Sequence, residues 1–138
     1  MKRIILLLLL CSCVLLPLGC SNNVSVNQVK LGEEFSLAIG QSVTIQDENL
    51  KVNFSEVIED SRCPSGVQCI WAGRVSCLIE FIQNGTTNKT VLTQLGLTEG
   101  YTTETYEVYQ LRFRIEPYPQ SDKKISNSDY HLLLIISK

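Results

Sequence analysis

Histidine, methionine and tryptophan each occur once in these 138 residues, and the methionine is the first residue. With His131 alone, any mechanism that needs two imidazoles within one chain is excluded, as is the usual two-histidine blue-copper ligand set. Basic excess is also missing. Twelve Lys and Arg face fourteen Asp and Glu, a formal net charge of −2, so no nucleic-acid partner is expected. The chain has no Gly-x-Ser-x-Gly, no Gly-rich phosphate loop and no His-Glu-x-x-His, which removes the motif-bearing hydrolases, nucleotide binders and zinc proteases. Cys-x-x-Cys, the redox spacing, is absent too. Nor does any stretch gather enough oxygen ligands for calcium. No catalytic residue, metal or cofactor is therefore assigned, and the expectation is a protein that is not an enzyme. What is present is 44% apolar residues, enough for the core of one ordinary domain.

The first twenty residues read as a leader. Met1-Lys2-Arg3 is a short positive start, and Ile4 to Leu18 is apolar apart from Ser12 and Pro17. Gly19-Cys20 and the polar Ser21-Asn22-Asn23 follow. This is the layout of a secretory signal peptide, and the run falls short of the roughly twenty residues a membrane span needs. Leu16-Pro17-Leu18-Gly19-Cys20 resembles the lipobox of bacterial lipoproteins. Pro17 stands where an aliphatic residue is usual, and Cys13 is a second candidate behind a shorter run. The resemblance implies cleavage before Cys20, acyl chains on Cys20, and a domain held on the extracytoplasmic side of a bacterial membrane. The expected organisation is a signal peptide over 1–19, a lipidated cysteine and flexible tether over 20–32, and a folded domain over 33–138. Removing 1–19 takes away Lys2, Arg3, Cys11 and Cys13, moves the net charge from −2 to −4, and leaves Cys63, Cys69 and Cys77 in the folded part.

Beyond Gly32 the pattern has a period of two. Phe35, Leu37 and Ile39 alternate with polar residues, as do Val43 and Ile45, then Leu50, Val52 and Phe54, then Val75, Cys77, Ile79 and Phe81. Asp47-Glu48-Asn49 reads as a turn, and Asn84-Gly85 as a hairpin with its return strand over 89–93. Residues 106–115 read as the longest strand, with a phase change near Tyr109-Gln110 that suggests a bulge. Pro117 and Pro119 end it. Tyr130 to Ile136 reads as a strand covered on both faces, with His131 buried in it. The best helical candidate, 55–60, is too short to matter. About seven strands separated by turns predict an all-β antiparallel sandwich of immunoglobulin-like size, with a small barrel as the alternative.

Residues 59–74 are the one dense motif, holding two Cys, two Arg, two Gly and the sole Trp. Pro64-Ser65-Gly66 is turn chemistry that folds Cys63 back towards Cys69. In an oxidising compartment a Cys63–Cys69 disulfide is expected, with Cys77 a buried thiol on its strand's apolar phase; pairing of Cys77 with either remains open. Three readings compete. In the first the motif is a stapled loop in which Asp60 and Arg62 pair with each other or with backbone, and Trp71 plugs the end of the sandwich. In the second Asp60, Arg62, Trp71 and Arg74 form a binding surface, since loops at a sandwich end commonly carry binding and Trp and Arg dominate hot spots. In the third Cys63, Cys69, Cys77 and His131 serve redox or zinc chemistry.

The motif resembles one in uncharacterised bacterial lipoproteins and secreted proteins. The matching residues are Asp60 to Pro64, Cys69 and Trp71 to Gly73, with Tyr109 to Leu111, Pro117 to Pro119 and Asp129-Tyr130 beyond. That resemblance implies no reaction. The functional expectation is an envelope lipoprotein with a binding or structural role. Its partners would be the membrane, through the lipid, and an envelope protein or small ligand. An envelope enzyme, an enzyme inhibitor or a metal-binding or redox protein are the alternatives.

Overall fold

The computed structural model describes residues 27–96 and 100–138. The expected leader 1–19, the acylation candidate Cys20 and the expected tether as far as residue 26 lie outside them. Nine strands follow in order: β1 (Gln28–Val29), β2 (Glu34–Ala38), β3 (Ser42–Ile45), β4 (Leu50–Asp60), β5 (Arg74–Gln83), β6 (Thr86–Leu95), β7 (Thr102–Tyr106), β8 (Tyr109–Glu116) and β9 (His131–Ser137). They form two sheets, β1-β3-β4-β5-β6 and β2-β9-β8-β7. All pairings are antiparallel except β1 with β3. The protein is an all-β sandwich.

The alternation in the sequence builds its core. Val43, Val52, Phe54, Val75, Cys77, Ile79, Phe81 and Leu92 of one sheet are buried with Leu37, Leu111, Phe113, Ile115, Leu132, Leu134 and Ile136 of the other. Side chains two apart share a face, so each strand gives one face to this layer. Asn84 and Gly85 take positive φ, 50° and 78°, which sets the twist of the β5–β6 hairpin.

Three expectations are corrected. The domain starts before residue 33: Gln28 and Val29 pair with Thr44 and Ile45, and Val29 and Leu31 pack on the core. These apolar side chains draw the end of the expected tether into the fold. Residues 106–115 are two strands, not one with a bulge. The phase change is a two-residue turn at Glu107-Val108, with Glu107 at φ 52° and Tyr106 facing Tyr109. The bulges lie in β4 instead, between Phe54 and Glu56 and between Val57 and Glu59. Residues 55–60, too short for a helix, belong to that strand, and β5 pairs with it along its length.

The third concerns His131, which is exposed. It falls on the outward parity of β9, opposite Leu132, Leu134 and Ile136. The outward Leu133 and Ile135 are half-buried. Tyr101 lies ahead of β7 yet donates its hydroxyl hydrogen bond to Glu34 on β2, so its side chain crosses this face. The guanidinium groups of Arg112 and Arg114 each sit 5.4 Å from its ring. Side chains, rather than a further layer, cover β9 there.

Candidate functional site: a stapled loop above an ionic plug

β4 and β5 are joined by residues 61–73, and backbone bonds close the base of this loop. Ser61 N–H donates to the Arg74 carbonyl at 2.8 Å, Cys63 N–H to Ala72 at 2.9 Å, and Gly96 N–H to Gly73 at 2.9 Å. This packing explains two glycines. Gly73 has φ +68°, and a Cβ there would stand 1.8 Å from the Ser61 carbonyl oxygen. A Cβ on Gly96 would stand 1.9 Å from the Ala72 oxygen. Only glycine permits backbones to approach so closely. The Tyr118 hydroxyl reaches the carbonyls of Cys63 and Gly96, and Ser65 N–H donates to Pro119, tying the loop to the segment after β8.

Above this base the Cys63–Cys69 disulfide is formed, with Cα atoms 6.0 Å apart. Cys77 is a buried free thiol, and burial pushes its pKa up to about 12. The zinc reading therefore fails geometrically: two of its four ligands are spent on each other, the third is in the core and His131 is on the outer face. Among the described residues no cluster of three metal-ligating side chains occurs.

The four residues of the expected binding surface are divided by the structure. Asp60 and Arg62 are interior, and Arg62 is 4% exposed. Arg62 donates from Nε and Nη2 to the two Asp60 carboxylate oxygens at 2.8 and 2.6 Å, from Nη1 to the Ile115 carbonyl at 2.8 Å, and from Nη2 to Pro117 at 2.9 Å. The Tyr130 hydroxyl donates to Asp60 at 3.0 Å. Its pKa is pushed up to about 12 by burial first, then by the Asp60 charge and hydrogen bond. Asp60 belongs to one sheet, whereas Ile115, Pro117 and Tyr130 belong to the other or its edges, so this ion pair plugs the end of the sandwich. That position was expected for Trp71. An indole has a single N–H to offer the carboxylate and the two carbonyls that converge there, whereas a guanidinium has five.

Trp71 instead points outward, 79% exposed, beside Ile70 at 96% and Val67 at 48%. Residues 63–73 carry no charged side chain. Arg74 is exposed at the foot of the loop and bonds Glu59 at 2.5 Å, a surface pair of small energetic consequence. Ile70 and Val67 were not singled out from the sequence, although the uncharged run 63–73 was there to be read. Beneath the loop a cleft of about 250 Å³ is lined by Arg62, Ser65, Gln94, Arg114, Tyr118 and Gln120. Arg114 pairs with the partly exposed Glu116, and Gln94 bonds the Gly100 carbonyl and the Ile115 N–H.

The fold and site together define a β-sandwich that displays a disulfide-clamped, uncharged apolar loop. The chain matches no known protein family, no curated protein and no solved structure.

Proposed function

We propose that the chain is an extracytoplasmic lipoprotein, anchored through Cys20, whose domain serves a binding or structural role in the bacterial envelope and makes contact through the loop 63–71. One observation carries this reading: Ile70 and Trp71 are held in water on a loop fixed by a disulfide and by backbone bonds at its base. Exposing a large aromatic and a large aliphatic side chain together forgoes several kcal/mol of burial, on the order of 1.5–3 for each. A surface that does so is characteristic of contact sites. The disulfide favours an oxidising compartment, in keeping with the leader. Asp60 and Arg62 support the loop from beneath, while Trp71 makes the contact, with Arg74 at its rim.

The test is the intact mass of the full chain, expressed in a bacterium, extracted from membranes and alkylated without reduction. The expected product begins at Cys20, carries acyl chains, takes no alkyl group while folded and takes one, on Cys77, after unfolding. A chain that retains residues 1–19, or that alkylates at three or four sites, overturns the proposal.

A further inference from the structure

We infer that the loop's partner is the membrane surface itself: Val67, Ile70 and Trp71 enter the headgroup boundary of the bilayer that holds Cys20, as a second contact beside the lipid. This rests on the Cys20 reading. Three observations carry it.

The first is direction. β1 runs parallel to β3 and so antiparallel to β4. Gln28 faces Thr44, so Asn27, whose carbonyl accepts a bond from the Thr44 N–H, lies one step back towards Val43 and near the level of Val52. Read backwards from Asn27, the chain leaves β1 heading along β4 towards Asp60, the end that bears the loop. The second is length. On β5, Phe81 faces Val52 and Val75 faces Asp60, six residues apart, or about 20 Å at strand spacing. From Cys20 to Asn27 is seven residues, a reach of at most about 25 Å. Fully extended, that segment brings Cys20 level with the loop's base and little farther, so a bilayer holding its acyl chains at that end meets the loop.

The third is charge. Residues 63–73 have no charged group to desolvate, and Trp is the residue type most at home at a bilayer interface. Ser65 bonds the segment that leads on to Asp122, Lys123, Lys124 and Asp129, all exposed and balanced in charge. The opposite end carries Asp47 and Glu48 in one turn and Glu107 in the next, joined by the Tyr109 hydroxyl donating to Glu48, against Lys138, which bonds the same carboxylate. Three carboxylates against one ammonium make that end the less favourable one to set on an anionic surface.

Trp71 is the only tryptophan in the chain, so its fluorescence reports this one site. The full chain, extracted from bacterial membranes and checked by mass for acyl chains, is reconstituted into phosphatidylethanolamine–phosphatidylglycerol vesicles with ordinary or brominated acyl chains. The expected result is quenching by the brominated lipid, protection from aqueous iodide and a blue-shifted emission. Ile70→Asp should lose these effects, and Thr87→Asp, on the far hairpin, should keep them. Acylated protein whose Trp71 is open to iodide and untouched by brominated lipid overturns this inference alone and assigns the loop to a protein partner. A mass without acyl chains overturns the anchor and this inference with it.

Discussion

Arg62 and Asp60 bear more of the fold's integrity than their place in a loop motif implies. Taking two charges out of water is costly, and the cost is offset here because almost every polar atom of the pair is bonded. Removing one partner strands the other. Asp60→Ala or Arg62→Ala should each lose about 3–5 kcal/mol in urea unfolding. Asp60→Ala with Arg62→Ala should lose less than the two singles summed, since neither charge is then orphaned. A strictly additive double variant would show that the two side chains do not act as a pair. Gly73 invites a simpler test. A methyl group there overlaps the Ser61 carbonyl, and φ is positive as well. Gly73→Ala should therefore cost more than the ~1 kcal/mol typical of Gly-to-Ala changes at positive φ. It should also shift the amide resonances of Ser61 and Arg62, while Gly85→Ala, with open space around it, should leave them in place.

At the scale of elements, the loop 63–69 is stabilised by its crosslink as well as by its base. A seven-residue closed loop removes enough unfolded-state freedom for roughly 2–2.5 kcal/mol. Cys63→Ser with Cys69→Ser should lower stability by about that much in thermal or urea unfolding, with the sandwich's circular dichroism unchanged. A loss near zero would mean that the backbone bonds at the base already restrict the loop. The strands were legible in the sequence because each carries its own evidence, as Asn84-Gly85 and the alternation 75–81 do. What was not legible depends on partners distant in the chain. Arg62 is buried because carbonyls 53 and 55 residues away converge on it, and nothing near Arg62 announces them. Trp71 points outward because the plug position is already filled. His131 is different: counting parity from Leu132 would have placed it on the outer face, but the unbroken apolar run 132–136 masked the alternation.

Across the whole molecule, several neutral groups are held away from water, and together they set its behaviour in alkali. Burial pushes Cys77, Tyr109 and Tyr130 each up to about 12, and the negative charges of Glu48 and Asp60 beside the two tyrosines add to the effect. In the unfolded chain the thiol and the phenols give up their protons at about 8.5 and 10. Between those values and about 12 the unfolded state binds fewer protons than the folded one, so stability falls as pH rises. Below about pH 8 these groups contribute no slope. Urea midpoints measured from pH 7 to 11.5 should be flat at first and then decline. Tyr130→Phe should start lower, having lost its bond to Asp60, and decline less steeply. Cys77→Ala should remove the earliest part of the fall. The acid side has the opposite sign: bonds from Lys138 and Tyr109 hold Glu48 below the usual carboxylate range. Its contribution is present at neutral pH and disappears as the pH drops through that range, and Lys138→Ala should diminish it. A wild-type midpoint that stayed level to pH 11.5 would mean that these tyrosines ionise as easily in the fold as out of it, which their bonds to two carboxylates oppose.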